Sequence, residues 1–239
     1  MTSSLLTRAV FVLPALASAL AGCAADRAGG RGPAAAPAAA SSPTASSADL
    51  AMAVRAVAAQ KPPAGYRFVE DRLVATTFGP VLLRRGRAPD GAHADGGLVA
   101  AYYLRRDAAG FALAQAYPEM VSTGSFGDFA QWEVSSAFGA NPVVRVEGGG
   151  TWQGCTMSVA SLVELTPKGP QLLADVPLYY DNGGAVERGA QRFTGTIGPI
   201  EPGRGFTVRY RGTRTFAERY VRDGGTYRLQ GGSSRVPGC

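Results

Sequence analysis

The sequence predicts an all-β fold for residues 48–239: a single antiparallel β-sandwich or barrel built from hairpins, with one short N-terminal helix. Three observations point that way. Apolar and β-branched runs recur roughly every 8–12 residues. The joints between them are rich in turn residues, as in Gly79-Pro80, Asp107-Ala-Ala-Gly110, Asp181-Asn-Gly-Gly184, Pro202-Gly203 and Asp223-Gly-Gly225. Where apolar and polar residues alternate, they do so with the two-residue period of a half-buried strand, as in Phe206-Thr-Val-Arg-Tyr-Arg211. The echo of Gly149-Gly-Thr-Trp152 in Gly224-Gly-Thr-Tyr227 is too short to mark a propeller or solenoid period.

Ahead of this domain, Arg8 supplies positive charge to Ala9–Leu20, twelve residues interrupted only by Pro14 and Ser18. Small residues Ala21 and Gly22 follow, and these are the three parts of an export signal. A spanning helix needs roughly 18–20 apolar residues, more than this segment has. The quartet Leu20-Ala21-Gly22-Cys23 resembles the lipobox of bacterial lipoproteins. The resemblance covers residues 1–23 and carries no activity for the remainder. It implies removal of residues 1–22, a diacylglyceryl group on the Cys23 thiol, and acylation of the new amino terminus. Such a set of chains passes the two-signal threshold for stable anchoring. Ala24 stands where the family's inner-membrane sorting rule wants aspartate, so the resemblance places the protein at the outer membrane, its domain in the periplasm. Residues 23–47 are almost wholly Ala, Pro, Ser and Gly. With no large apolar side chain to offset ordering entropy, and with Pro33, Pro37 and Pro43 interrupting the alanines, they read as a disordered tether.

Within the domain, Ser47 is placed to cap a helix carrying Asp49 in its first turn and Leu50, Val54 and Val57 along one side, ending before Pro62-Pro63. Strands are expected at Tyr66–Glu70, Leu73–Phe78, Val81–Arg84, Leu98–Arg105, Phe111–Tyr117, Gln131–Phe138, Val143–Glu147 and Cys155–Leu165. Pro118 breaks the fifth of these, and Gly148-Gly-Gly-Thr-Trp-Gln-Gly154 reads as a connection. Val176–Tyr180 and Ala185–Arg188 form the clearest hairpin signal, around residues suited to positive φ. Arg192–Ile197, Phe206–Arg211, Thr215–Val221 and Tyr227–Leu229 complete a meander. With Cys23 assigned to lipid, Cys155 and Cys239 remain, and an even pair in an exported domain predicts a disulfide.

Candidate chemistry is sparse. His93, the single histidine, sits in Asp90-Gly-Ala-His-Ala-Asp95, whose spacing misses the calcium-loop pattern and which has no second histidine or spare thiol for zinc; no metal and no cofactor are expected. Thr123-Gly-Ser-Phe-Gly127 lacks the first glycine of a nucleophile elbow, and His93 precedes Ser125, the wrong order. Glu133 and Glu147, near Trp132 and Trp152, are the carboxylate pair that a glycan hydrolase would use. Phe126, Phe129, Trp132 and Phe138 are read as core. Lysine occurs only at Lys61 and Lys168, so the formal charge of +6 is carried by arginine. From Arg188 to Arg235 ten arginines face only Glu201, Glu218 and Asp223 in sequence. If Arg209, Arg211, Arg219 and Arg222 share a sheet face, they can hold phosphates or carboxylates bidentately. The expected function is therefore a membrane-anchored, non-enzymatic binding or accessory module for an anionic envelope component or envelope protein, with the glycan hydrolase as the alternative. Nucleic acid is set aside because the chain reads as exported.

Overall fold

The computed structural model describes residues 46–108 and 110–239. The export signal, the lipobox with Cys23 and all but the last residues of the tether lie outside them. A helix, α1 (Ser47–Ala56), is followed by a four-stranded sheet of β1 (Arg67–Val74), β2 (Val81–Arg87), β3 (Gly97–Asp107) and β4 (Gly110–Thr123), in that order. The remaining strands are β5 (Gln131–Ser135), β6 (Val143–Trp152), β7 (Cys155–Thr166), β8 (Gly169–Asp181), β9 (Arg192–Glu201), β10 (Gly205–Gly212), β11 (Phe216–Asp223) and β12 (Thr226–Leu229). They form a second sheet in sequence order, and every pairing in both sheets is antiparallel. The fold is a sandwich-like all-β structure, not a closed barrel.

β3 explains the layering. Its residues from Gly97 to Leu104 are all buried, so this strand has no solvent face. Leu98, Ala100, Tyr102 and Leu104 point to one side, where Ala53 of the helix, Val57 at its C-cap and Phe111 cover them. Val99, Ala101 and Tyr103 point to the other, against Phe129, Trp132, Val144, Val146, Val163 and Leu165 of the second sheet. The helix cap lies one residue earlier than expected: Ser46, in extended conformation, is the N-cap, and its hydroxyl accepts from the Asp49 amide at 3.1 Å.

The far half of the second sheet rolls on itself. β7 and β11 are four places apart, about 19 Å if flat, yet Arg222 of β11 donates to Glu164 of β7 at 2.9 Å. Gln171 of β8 likewise reaches the Gly225 carbonyl at 3.1 Å. The roll encloses Leu162, Leu173, Val176, Phe193, Phe206, Val208 and Tyr210, with Phe138, Tyr227 and Val236 closing it.

Several local readings change. Tyr66–Glu70 and Leu73–Phe78 give one strand, β1. β4 runs through Pro118 because it is a sheet edge with a register shift there, where no ladder donor is needed. Ala185–Arg188 is not a strand: residues 182–191 are a loop, and pairing resumes at Asp181↔Arg192. Val186 is the only large apolar residue in that segment and has no core to point into, whereas Phe193, further on, is fully buried. The Gly-rich run read as a connection is strand instead, and it closes a hairpin through Gln153 (φ 49°) and Gly154 (φ 79°), the pair of positive φ values of a type I′ turn.

The disulfide is present: Cys155 and Cys239 are joined across 84 residues. It ties the C-terminal segment to the turn end of that hairpin, at Cys155 opposite Trp152. Removing it as Cys155→Ser with Cys239→Ser is expected to lower stability by about 2–4 kcal/mol. Chemical denaturation of the oxidised parent, the reduced parent and the variant checks this; the last two should coincide.

Candidate functional site

Strand parity divides the four arginines. β10 alternates Phe206, Val208 and Tyr210 inward with Thr207, Arg209 and Arg211 outward, and all three inward side chains are fully buried. Arg219 lies opposite Thr207 on the outer face. Arg222, three residues on, points inward with the buried Glu218 and Tyr220. So three of the four share a face and the fourth does not. On the outer face Arg219 is held by Glu201 at 2.7 Å. Arg209 donates to the Gly198 carbonyl at 3.0 Å, and Arg211 has no ionic partner among the described residues. Their cross-strand neighbours are short, Thr196 and Ala217 beside Arg209 and Thr194 beside Arg211, so neither head is covered by a long side chain opposite it; the Arg209 head lies along β9. Arg222 is internal: it pairs with Glu164 and lies over the Tyr227 ring at 5.1 Å. Burial alone would push its guanidinium down, but the Glu164 and Tyr227 contacts outweigh that and its pKa is raised.

The carboxylate pair has a different environment from the one a hydrolase needs. Glu133 and Glu147 flank Arg145 and both accept from its guanidinium, Glu133 at 3.2 Å. Gln131 donates to the other oxygen of Glu147 at 2.8 Å. The depression they line with Trp132 holds about 60 Å³, room for about two waters and not for a sugar ring. Trp132 is buried, donates to Glu70 at 2.9 Å and has Arg72 over its ring at 4.0 Å. Among the described residues no group of three or more His, Cys, Asp or Glu side chains is arranged to hold a metal ion. Ser125 lies in a tight turn, its amide bonded to the Asp128 carbonyl at 3.0 Å, and no helix follows it.

That turn holds the feature the sequence does not announce. Phe129, Trp132 and Phe138 are core as expected, but Phe126 is 61% exposed. Its φ is +53°, a left-handed conformation that costs an L-residue about 1–2 kcal/mol. The turn is fastened all round. The Gly127 carbonyl accepts from Ala88 at 2.9 Å, its amide donates to the Asp95 carbonyl at 2.8 Å, and a side chain at Gly127 would meet Ala88 at 1.9 Å. Beneath it, Asp128 accepts from Arg85 at 2.6 Å and from the Phe129 amide at 2.9 Å, and pairs with Arg87 at 3.2 Å. Burial would raise the Asp128 pKa; those hydrogen bonds and charges lower it on balance. His93 packs its ring 4.9 Å from Phe126 and 5.5 Å from Trp152, which is 41% exposed. Trp152 lies back over Gly150, where a Cβ would meet the indole at 2.7 Å. The glycines around Phe126 were the available signal, since a large aromatic between two glycines at a turn tip has no core to enter.

Comparison with protein-family models, with curated proteins and with solved structures returns no match.

Because the Asp128 pKa is depressed in the folded state, its contribution is present above the unfolded value and lost as pH falls through the folded one. Stability is therefore expected to decline below pH ~4. Asp128→Asn should cost roughly 1–2 kcal/mol at neutral pH and flatten that decline; urea midpoints across pH check both.

Proposed function

We propose that this chain is a cell-envelope lipoprotein, held at the outer membrane through a lipid on Cys23, whose all-β domain is a non-enzymatic binding module in the periplasm. Its outer sheet face takes an anionic envelope component through Arg209 and Arg211. The observation that carries the binding surface is that neither guanidinium has a carboxylate partner among the described residues, Arg209 donating instead to the Gly198 carbonyl. The two side chains project from one strand about 7 Å apart, with short neighbours. A guanidinium so placed binds a phosphate or carboxylate through paired N–H donors. The hydrolase alternative loses its support at Glu133 and Glu147, which Arg145 bridges. Arg219 and Arg222 serve the fold through Glu201 and Glu164.

Two experiments test the two halves. For the anchor, cells expressing the chain are fed a labelled fatty acid. The parent should take up label and sediment with membranes, and Cys23→Ala should do neither. Label retained by the variant would sink the lipid assignment. For the surface, lipopolysaccharide is the anionic probe. Arg209→Ser with Arg211→Ser is expected to weaken binding about tenfold or more at low ionic strength, the parent's affinity falling with salt toward the variant's. Arg222→Ser should instead destabilise the fold by about 3 kcal/mol, because it strands Glu164 in the interior. Equal binding by parent and double variant would move the contact off this face.

A further inference from the structure

Three connections meet at one end of the sandwich: the β2–β3 loop with His93, the β4–β5 turn with Phe126, and the β6–β7 hairpin with Trp152. Of the five large apolar side chains exposed among the described residues, Phe126 and Trp152 are the only aromatic ones, and both are here. Phe126 is held exposed in an unfavourable backbone conformation by a turn bonded on both sides. Trp152 lies in a bed made by Gly150, and beside it Gly148 lets the Gly124 backbone and the Thr123 side chain approach, a Cβ there meeting the Gly124 nitrogen at 2.5 Å. The hairpin that carries Trp152 is anchored at Cys155, its cross-strand partner, by the disulfide to Cys239. Rings fixed this way lose little freedom when something stacks on them.

The geometry selects among occupants. His93 packs between the other two rings, inclined 42° to Phe126 and 40° to Trp152, so the three form one aromatic cluster whose interior His93 fills, leaving no open cage for a cation. Under the platform the Asp128 carboxylate is engaged by both Arg85 and Arg87, so it is not presented to a ligand. The fringe is polar: Thr151 and Thr156 hydrogen-bonded at 2.8 Å, Gln153 exposed, Ser125 at the turn, and the carboxylates of Asp90 and Asp95 exposed in the His93 loop. Two partly exposed rings fall far short of the roughly 800 Å² per partner that a specific protein interface buries.

We infer that Phe126, His93 and Trp152 form a stacking site for an uncharged pyranose chain with equatorial linkages. The C–H faces of successive sugars would lie on Phe126 and Trp152, and their hydroxyls would meet the polar fringe. The chain has two tryptophans, and Trp132 is buried against Glu70, so emission changes on binding report Trp152.

The test is a fluorescence titration of the full chain in detergent with chitotetraose, cellotetraose and, as an axially linked control, maltotetraose. A saturable blue shift is expected with at least one β-1,4-linked tetrasaccharide, and a weaker response to maltotetraose. Calorimetry should show the affinity cut about tenfold or more by Trp152→Ala and by Phe126→Gly. Phe126→Gly should leave the melting temperature unchanged or raised, since glycine accepts the left-handed φ. Arg209→Ser with Arg211→Ser should bind as the parent does. No saturable shift with any tetrasaccharide up to about 10 mM, affinity unchanged in Phe126→Gly, or a shift seen only with phosphatidylethanolamine–phosphatidylglycerol vesicles would each overturn the inference. Loss of lipidation at Cys23 would leave the saccharide titration untouched, so the two readings fail separately.

Discussion

The burial of β3 on both faces is the constraint on which the rest of the structure depends. A strand with one apolar face needs one covering layer; β3 offers Leu98, Ala100, Tyr102 and Leu104 on one side and Val99, Ala101 and Tyr103 on the other, and so needs two. The helix supplies the first cover and the β5–β7 end of the second sheet supplies the other. That requirement places the turn after β4, because β4 must pair with β3 before the chain crosses to β5. It thereby sets Phe126 at the rim of the interlayer core and not inside it. The same face of β6 that delivers Val144 and Val146 to this core continues outward as Gly148, Gly150 and Trp152. The aromatic platform is thus the exposed end of the layer whose buried end is the core.

The all-β class, the meander, the leading helix and the disulfide were legible in the sequence because each has a local cause. Alternation in Phe206–Arg211 survives any tertiary context once one face is buried, and two cysteines left over in an exported domain have each other. Failures occurred where tertiary contact decided. Gly148-Gly-Gly150 looks like a linker in isolation, since glycine weakens a strand; here the glycines are required by the closeness of Gly124, of the Met157 carbonyl and of the Trp152 ring. Ala185–Arg188 sits after turn residues that do turn, yet the loop is held by Gly184 bonding to the Gly154 carbonyl at 3.1 Å, not by a ladder. Hairpin chemistry identified the bend and not the register of the chain beyond it.

Site residues were less legible than the fold for a related reason. Burial of an aromatic is a bet on the local pattern, and Phe129, Trp132 and Phe138 follow it while Phe126 does not. Nothing in Gly124-Ser-Phe-Gly127 states that the turn will be strained. The strain arises because Gly127 must lie against Ala88 and because Asp128 must reach Arg85, contacts made by residues some forty positions away in sequence. An exposed phenylalanine in a left-handed conformation is unfavourable twice, by solvation and by backbone, and the surrounding hydrogen bonds overdetermine it.

The arginines show how much a single step in strand register decides. Arg219 and Arg222 are three residues apart, so a strand sends them to opposite faces. The outer one ends in a half-exposed pair with Glu201, worth little to stability. The inner one meets Glu164, which Asn141 also binds at 3.2 Å, in a site too enclosed for either charge to stand alone. A buried pair of this kind contributes modestly against apolar replacements, but it penalises any arrangement that parts its members. Joining β11 to β7, it penalises the unrolled sheet, in which four strand spacings would separate the two charges. Opening the roll would expose Phe193, Phe206 and Tyr210 along with it. The Arg222–Glu164 pair therefore favours the curved sheet together with the apolar cluster it encloses, and that curvature turns the outer face of β10 toward solvent with Arg209 and Arg211 on it.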